Sequence, residues 1–372
     1  MSQAGNTANN NTASNQAILS AALNFVEPNA GIRLADSGAQ IQLLDTVAGQ
    51  STAVKVTLAY SLGQAVVSFA HQLSQELSQL GVTEVTIGSE IPSTATQQNI
   101  KQIQGIKNIL VVASGKGGVG ESTTAANLAL ALARDGAVVG LLDADIYGPS
   151  QAQMMGLDGQ RPVSSDGKTF KPLNAYGIKV MSIGLLVDSE QPMVWRGPMV
   201  TQALTQLLND CQWGDLDYLV VDMPPGTGDI QLTMSQRVPI SGALIVTTPQ
   251  DIALLDARKG LKMFEKVGVP VLGIIENMST HVCSQCGHEE HVFGVGGGAR
   301  MAAQYGVDLL AELPLDIRIR EHMDAGRPIV AGDVLDKLGE SYMLLARRVG
   351  ARLARHAVQY AKPMPNISFE AT

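Results

Sequence analysis

The chain has 372 residues, of which 45% are hydrophobic and 16% are charged, and its net charge at pH 7 is −8. This length predicts two to three domains of about 150 residues each, and the apolar content is enough to bury a core without disulfides. The acidic balance argues against a protein that coats nucleic-acid phosphates, so no nucleic-acid partner is expected. The three cysteines, Cys211, Cys283 and Cys286, are too few for a secreted disulfide framework.

Neither a targeting segment nor a membrane span is visible in the sequence. The chain begins Met1-Ser2-Gln3-Ala4, without the basic and apolar regions of a signal peptide. No stretch approaches the ~18 consecutive apolar residues that a spanning helix needs. We therefore expect a soluble, cytoplasmic protein with no stable membrane association.

The N-terminal quarter predicts a tail followed by a small domain. Residues 1–16 are mostly Asn, Gln, Ser, Thr, Ala and Gly, which predicts a disordered tail. Alternating apolar residues over 54–58 indicate a strand, apolar residues at helical spacing over 66–80 indicate a helix, and 83–87 indicates another strand. We expect a small α+β domain over 17–90.

The chain after residue 107 predicts a larger domain of a different kind. A polar linker over 91–106 precedes it, its bounds are 107–358, and a tail over 359–372 follows. Short apolar runs alternate with longer helix-like segments, which predicts an α/β fold with a doubly wound, mostly parallel sheet buried on both faces. In such sheets ligands bind at the carboxyl ends of the strands. The runs that predict strands are Asn108–Ala113, Val138–Asp143, Ile178–Ile183, Tyr218–Asp222, Ala243–Thr247 and Val271–Ile275.

A glycine-rich segment follows the first of these strands and precedes an Ala/Leu-rich helix over 124–134. Strand, glycine loop and helix N-terminus are the parts of a phosphate cradle, in which backbone N–H groups converge on the anion. Ser122 is placed to bind Mg²⁺. The residues predicted to hold the nucleotide are Gly115, Lys116, Gly117, Gly118, Val119, Gly120, Glu121, Ser122 and Thr123.

One position of this loop departs from the usual pattern G-x-x-x-x-G-K-[ST], because Glu121 stands in the lysine position. A lysine there attracts the phosphates, whereas a carboxylate repels them. At about 4 Å and an effective dielectric constant of about 20, one charge pair is worth roughly 4 kcal/mol, about half of a micromolar binding free energy. Glu121 could repel nucleotide, occupy the anion position on its own helix N-terminus, or rotate into solvent. We predict weak nucleotide binding and turnover, which Glu121→Lys restores.

Carboxylates follow two other predicted strands. Asp143 and Asp145 come after one of them, and Asp222 ends a later apolar run. Asp222 is expected at the Mg²⁺ ion, and Asp143 or Asp145 is expected to orient the attacking water. An aspartate after a strand can also serve only as a helix N-cap, but the coincidence with the glycine loop favours a nucleotide site.

Lys116-Gly117-Gly118-Val119-Gly120 resembles the deviant phosphate loop of the MinD/ParA/nitrogenase-iron-protein class. One branch of that class is the Mrp/ApbC family of iron–sulfur cluster carrier ATPases. The chain resembles this branch closely in the segments 143–150, 222–231 and 283–298. The resemblance covers about 107–355, and the 17–90 unit is similar in position and pattern to the small domain of many members.

The resemblance implies a P-loop ATPase that uses ATP and Mg²⁺ in a homodimer. It implies that Lys116 reaches the nucleotide of the partner chain, and that Asn277 reads adenine with Pro249 and Asp251 near the base. Because the usual loop lysine is missing, the ATP hydrolase activity is expected to be weak or lost.

The pair Cys283 and Cys286 lies in a polar loop rich in Gly and His, and three interpretations stay open. It could be a redox dithiol, or a zinc knuckle completed by His288 and His291. Alternatively, two chains could each give two thiolates to one Cys₄ site on a twofold axis. The family resemblance favours the last, with a [4Fe–4S] cluster bridging two subunits. Cys211 is predicted to be a buried, inert thiol.

The family resemblance implies a homodimeric carrier that receives a cluster from a donor and passes it to apo iron–sulfur proteins, with nucleotide coupled to the transfer. The alternatives are a MinD/ParA-like positioning ATPase switch and a zinc-stabilised scaffold. A basic amphipathic segment over 344–356 could lie on a membrane, but its pattern is more typical of a last helix with a solvated face.

Overall fold

The computed structural model describes residues 4–45, 52–94, 100–164, 166–186 and 197–360. Residues 1–3 and 361–372 of the predicted tails and residues 95–99 of the predicted linker lie outside this description. The chain divides into two compact units, one formed by 1–95 with 350–372 and the other by 96–349. None of the described helices combines the length and the hydropathy needed to cross a bilayer.

The first unit begins with a helix where the composition predicts a disordered tail. Helix α1 spans Ala4–Asn24, and its second half is anchored because Ile18 and Ala22 are buried in the unit's core. Helix propagation adds one hydrogen bond for each residue that is fixed, so an anchored half extends through a polar segment at little cost. The difference from the prediction therefore arises from packing at 18–22, which composition alone does not report.

A small three-stranded sheet forms the rest of this unit, with β4 pairing antiparallel to β3 and parallel to β5. The alternation over 54–58 buries Val54, Val56 and Leu58 against the apolar face of α2. The β4–α2–β5 arrangement is the βαβ unit that the sequence pattern predicts. The elements are β1 (Val26–Glu27), β2 (Ile32–Arg33), β3 (Gln40–Asp45), β4 (Thr52–Leu58), α2 (Ala65–Ser78) and β5 (Val82–Ser89).

The second unit is built on an eight-stranded sheet in the order β15-β12-β11-β6-β10-β7-β9-β8, parallel except for the β8–β9 pair. Its first half comprises β6 (Ile106–Ser114), α3 (Glu121–Arg134), β7 (Val139–Asp143), α4 (Gln151–Met154), β8 (Leu173–Ala175), β9 (Ile178–Ser182), α5 (Gly197–Asn209) and β10 (Leu216–Asp222). Its second half comprises α6 (Asp229–Arg237), β11 (Gly242–Thr247), α7 (Asp251–Lys266), β12 (Val271–Glu276), β13 (His281–Val282), β14 (Glu289–Glu290), α8 (Gly297–Tyr305), β15 (Leu309–Glu312) and α9 (Ile317–Asp324).

Each apolar run that predicts a strand in this unit is a strand of the sheet, so the prediction of a doubly wound, mostly parallel α/β fold is confirmed. The central strands are buried on both faces, and β10 and β11 are buried over almost all of their residues. The short strands β8 and β15, at the two edges, are not among the predicted runs. Edge strands need less continuous apolar sequence, which explains why the pattern missed them.

Strand register aligns three polar residues in one row on the neighbouring strands β10, β7 and β9. Asp222 at the end of β10 lies opposite Val112 of β6 on one side and opposite Asp143 of β7 on the other. Asp143 in turn lies opposite Ser182 of β9. Two carboxylates and a hydroxyl thus meet at the carboxyl edge of the sheet, next to the loop that leaves β6.

Helix α10 (Lys337–Tyr360) belongs to both units, since residues from Gly350 onward pack with the first one. The predicted 107–358 domain therefore differs from the second unit at its C-terminal end. Two basic residues of this helix form contacts with other parts of the chain. Arg347 forms an ion pair with the buried Asp135 at 2.9 Å, and Arg348 donates to the carbonyl oxygen of Leu310 at 2.7 Å.

Candidate functional site

The glycine loop connects the end of β6 at Ser114 to the start of α3 at Glu121. At Gly115 the loop approaches helix α7 so closely that an added Cβ would lie 2.1 Å from the carbonyl carbon of Asp256. Gly120 has a φ of +85°, and an added Cβ there would lie 2.2 Å from Nδ2 of Asn277. Only glycine fits both positions, so the loop is held as an open cradle at the N-terminus of a 14-residue helix.

Asn277, which follows β12, touches this loop directly. Its side-chain amide is buried and donates from Nδ2 to the carbonyl oxygen of Val119 at 2.9 Å. The structure therefore gives Asn277 a role in holding the loop. The reading of adenine by Asn277 remains a prediction.

Glu121 turns inward rather than into solvent, since only 7% of the residue is exposed. The expectation that it could rotate into solvent is therefore wrong for the described structure. Its Oε2 atom is hydrogen-bonded to the hydroxyl of Ser114, and its Oε1 atom has no hydrogen-bond partner. The carboxyl thus lies beneath the loop, against the end of β6.

The environment of Glu121 favours the neutral acid. Burial raises the pKa of this carboxyl well above its ordinary value, and the nearby Asp222 raises it further. The Ser114 hydroxyl has one hydrogen and lies 2.9 Å from the carbonyl oxygen of Lys116, to which it donates. A protonated Glu121 that donates to the Ser114 oxygen satisfies both contacts at once.

Asp143 is completely buried and accepts hydrogen bonds on both oxygens. Its Oδ2 atom accepts from the Ser182 hydroxyl at 2.9 Å and from the backbone N–H groups of Ser150 and Gln151 at 3.1 Å each. Its Oδ1 atom accepts from the backbone N–H of Asp145 at 3.1 Å. Burial raises the pKa of Asp143 to about 6, and these hydrogen bonds oppose the rise. This carboxyl is used to fix the start of α4.

Asp222 is also completely buried, and one of its oxygens is free. Its Oδ2 atom accepts from Nε2 of Gln151 at 2.8 Å, and the Ser122 hydroxyl is also hydrogen-bonded to this carboxyl. Its Oδ1 atom has no partner, and neither does Oε1 of Gln151. Burial, and then the charge of Asp143, raise the pKa of Asp222 to about 8. Ser122 and Asp222 therefore lie together, as the sequence predicts for a magnesium site.

Asp145 faces a cavity of about 400 Å³ that is lined by Tyr147, Pro224, Pro225 and other residues of the two strand-end turns. Its Oδ1 atom accepts from the N–H groups of Tyr147 and Gly148 at 3.2 and 3.3 Å. Asp143 is therefore enclosed, whereas Asp145 opens onto a cavity.

Lys116, Pro249 and Asp251 lie around the same edge of the sheet. Lys116 is in the loop and is half-buried, whereas Asp251 begins α7 and is exposed. Pro249 lies beside the segment after the cysteine pair, because Cβ atoms added at Gly294 and Gly297 would come within 3.8 and 2.8 Å of it. The cysteine segment and the nucleotide loop therefore share one edge of the sheet.

Cys283 and Cys286 lie in a short hairpin between β13 and β14. The backbone N–H of Cys283 donates to the carbonyl oxygen of His288, and the N–H of Gly287 donates to that of Cys283, both at 2.9 Å. Cys283 is half-buried and Cys286 is exposed. Backbone N–H groups of Cys286 and Gln285 point at the Cys283 sulfur and lower the pKa of its thiol. The turn therefore stabilises a thiolate.

No third ligand completes this pair within the described part of the chain. Among the described residues, no group of three or more His, Cys, Asp or Glu side chains is arranged to hold a metal ion. The Nδ1 atom of His291 is hydrogen-bonded to the carbonyl oxygen of Ser279 at 2.9 Å. The single-chain zinc knuckle of Cys283, Cys286, His288 and His291 is therefore not formed in this structure.

Cys211 is separate from this edge of the sheet. It is buried at the end of α5 and lines a cavity of about 890 Å³ with Trp213 and the segment 101–105, near the amino ends of β6 and β10. Burial raises the pKa of its thiol to about 12, so this cysteine is held as a thiol. These findings agree with an inert Cys211.

Comparison with known proteins relates this geometry to a family. A family model described as ParA: NUBPL iron-transfer P-loop NTPase matches residues 105–350. The chain belongs to this family. The iron-sulfur cluster carrier protein of Pseudomonas fragi is 57% identical over 278 residues, which cover 74% of this chain and 97% of that protein. The iron-sulfur cluster transfer protein NUBPL of Mus musculus is 52% identical over 255 residues, 68% of this chain and 80% of that protein.

Solved structures agree on the fold. The nucleotide-binding protein of Archaeoglobus fulgidus in complex with ADP is 38% identical, with a TM-score of 0.54 over 60% of this chain and 88% of that chain. The cell division ATPase MinD of Pyrococcus furiosus is 23% identical, with a TM-score of 0.51 over 65% of this chain and 98% of that chain, and shows the fold alone. The resemblance to the Mrp/ApbC carriers and to the MinD/ParA class is confirmed.

Three further polar residues of the site are not identified by any of the sequence motifs. Ser114 contacts Glu121, Gln151 links Asp222 to the carbonyl oxygen of Ser122, and Ser182 donates to Asp143. The signal for Ser114 and Ser182 is a polar residue at the end of an apolar run. Gln151 comes directly after the 143–150 segment, and nothing in its spacing marks it.

Proposed function

We propose that this protein is a homodimeric carrier of iron–sulfur clusters, with one cluster held between Cys283 and Cys286 of two chains and passed to apo iron–sulfur proteins. The observation that carries the proposal is the thiol pair itself. It is accessible, its turn stabilises a thiolate, and no further ligand accompanies it in the described structure. The relatives named iron-sulfur cluster carrier proteins support this assignment.

An incomplete ligand set suits a cargo site. A thiolate is the form of cysteine that binds iron, and the N–H groups that point at Cys283 favour it. Two thiolates are half of the Cys₄ set that a [4Fe–4S] cluster takes, so a second chain has to supply the rest. The exposed side chains of Val282, Val292 and Val295, which are 50% to 61% accessible, lie in the same segment and give a second chain an apolar surface to contact.

Two observations support the binding of a magnesium–nucleotide complex at the loop. Gly115 and Gly120 let the loop pack closely against Asp256 and Asn277 before the N-terminus of α3, and the free Oδ1 of Asp222 lies beside Ser122. The loop amides and Ser122 would hold the phosphates and the ion. When bound, the ion supplies positive charge that stabilises the transferring phosphoryl group. Asp145 would orient water, Lys116 would reach the partner's nucleotide, and Asn277, Pro249 and Asp251 would surround the base.

We propose that nucleotide binding changes the geometry of the dimer and thereby the release of the cluster. Both sites lie at the same edge of the sheet, and Pro249 touches the segment that follows the cysteine pair. ATP hydrolysis is proposed to be slow because Glu121 replaces the lysine. The family relationship also supports a cytoplasmic location.

The proposal is tested by anaerobic reconstitution with iron and sulfide, followed by visible absorption, iron analysis and solution mass. We expect charge-transfer absorption and half a [4Fe–4S] cluster per chain in a dimer. Cys283→Ala and Cys286→Ala should each abolish it, whereas Cys211→Ala, which removes the buried thiol, should retain it. Transfer is then measured as the gain of activity of an apo [4Fe–4S] enzyme.

The alternatives give different results. Tight zinc in a monomer, with no cluster after reconstitution, would favour a zinc-stabilised scaffold. A protein that dimerises with ATP but carries no cluster would favour a positioning ATPase, since such a switch has no need of the cysteine pair.

A further inference from the structure

Two buried carboxyl oxygens beneath the glycine loop, one at the start of α3 and one at the end of β10, have no hydrogen-bond partner. They are Oε1 of Glu121 and Oδ1 of Asp222, and their residues are 7% and 0% exposed. A buried charged oxygen without a partner is costly, because nothing replaces the water that it has lost. Two such atoms on neighbouring residues indicate a ligand that both would bind.

The two carboxyls are close enough to interact. Among the charges that act on Glu121, that of Asp222 has the largest effect, and Asp145 adds to it in the same direction. The hydrogen bonds of these carboxyls join Glu121 to Ser114, and Asp222 to Ser122 and Gln151. The site therefore gathers acidic groups under a loop whose amides are shaped for an anion. Their charge can be offset either by the proton on Glu121 or by a bound cation that displaces this proton.

We propose that Glu121 and Asp222 together hold a hard divalent cation, Mg²⁺ or Mn²⁺, in the absence of nucleotide. Mg²⁺ in proteins is bound through one or two carboxylates and keeps several of its waters. Two free carboxylate oxygens and the Ser122 hydroxyl are sufficient for such a site. It does not need the set of three or more carboxylate, His or Cys ligands that the described residues lack.

Such an ion would replace the charge of the missing lysine. A Glu121 carboxylate with a bound divalent cation has a net charge of +1, the same as the lysine ammonium that the loop pattern expects at this position. The consequence is an order of binding, in which the cation comes first and the phosphates follow. This property would be specific to a loop with glutamate in the lysine position.

The proposal concerns the nucleotide loop and stands independently of the cluster cargo. To keep the two separable, the experiment uses the full chain with Cys283→Ser and Cys286→Ser, which removes the soft thiolate ligands. Mn²⁺ binding is measured without nucleotide, by electron paramagnetic resonance of free Mn²⁺ and by calorimetry. We expect one Mn²⁺ per chain, displaced by Mg²⁺.

The variants Glu121→Gln and Asp222→Asn keep the shape of each side chain and remove one ligand. Each should weaken Mn²⁺ binding by at least about tenfold, the smallest effect expected from loss of a charged ligand. Glu265→Gln removes an exposed carboxyl from α7 and should leave binding unchanged. Melting curves in EDTA establish that each variant is folded.

Several results would overturn the proposal. They are the absence of Mn²⁺ binding without nucleotide, equal affinity in the parent protein and in Glu121→Gln, and an equal loss in Glu265→Gln, which would indicate surface binding only. A failure of cluster loading would leave this measurement unaffected, because the tested protein lacks the cysteine pair.

Discussion

Replacing Glu121 with lysine gives the loop the residue that its pattern expects, in a position where the structure defines the surroundings. The new ammonium would enter a buried space beside Asp222 and Asp145, which already act on the carboxyl there. These acids would hold the lysine under the loop, where it would face the phosphates. We expect Glu121→Lys to bind ADP more tightly than the parent protein when no divalent cation is present.

The expected gain in ADP binding free energy follows from the charge and the burial of the side chain at position 121. One unit-charge pair at about 4 Å with an effective dielectric constant of about 20 is worth roughly 4 kcal/mol. The raised pKa of Glu121 means that protonation already relieves part of its repulsion, so the gain comes mainly from the attraction of lysine. Asp222 and Asp145 would share this attraction. A net gain of about 2–4 kcal/mol remains, which is roughly a 30-fold to 700-fold lower Kd.

Calorimetric titration with ADP in EDTA measures this difference, with Glu121→Gln as the matched control. Glutamine removes the charge without adding the opposite one and should give an intermediate Kd. In Mg²⁺ the gap between parent and lysine variant should narrow, because a bound cation supplies the positive charge to the parent. Equal ADP affinities of the parent and the lysine variant in EDTA would refute the electrostatic reasoning.

Three further results are expected. Gly115→Ala should destabilise the protein by about 1–3 kcal/mol in urea unfolding, because the new Cβ would overlap the backbone of α7. Gly117→Ala is the control and should be nearly neutral, because the nearest contacts of its Cβ would be at 3.9 Å. In EDTA the melting temperature should fall by a few °C from pH 6 to pH 8, which corresponds to a loss of about 2 kcal/mol of stability. The reason is that the folded state raises the pKa of Asp222 to about 8, so the stability is full below the unfolded pKa of about 4 and is lost as the pH rises toward 8. Asp222→Asn should flatten this profile, and an unchanged slope would contradict the account. Iodoacetamide should modify Cys283 much faster than Cys211, as measured by peptide mass spectrometry. Backbone N–H groups lower the pKa of the Cys283 thiol, whereas burial raises the pKa of the Cys211 thiol. Equal rates of modification would contradict the hairpin geometry.

The fold of the second unit could be predicted because its signals are local. A continuous apolar run is enough to indicate a buried strand, and a glycine loop between a strand and a helix is enough to indicate a phosphate cradle. The order of the strands was not predictable in this way, because β6 lies between β10 and β11, which are far from it in sequence. The helix over Ala4–Asn24 was missed because its anchor at Ile18 is tertiary.

The placement of the Glu121 side chain also could not be predicted from the sequence, because it depends on tertiary contacts. Its position in the loop identifies the anomaly, but three placements of the side chain were open from sequence alone. The structure selects an inward placement through Ser114, which precedes it by seven residues, and through Asp222, which lies on another strand. Contacts of that kind depend on which strands are neighbours.

The row of Val112, Asp222, Asp143 and Ser182 has a consequence for how this protein tolerates change. Strand pairing places the backbones of Asp143 and Asp222 side by side at about 4.8 Å, and a slip of one residue would send either carboxyl to the opposite face of the sheet. The apolar residues that fix the register are therefore as decisive for the acidity of the site as the acids themselves. Insertions into surface loops should be accepted, whereas a deletion within β7 or β10 should remove the site while leaving much of the core composition intact.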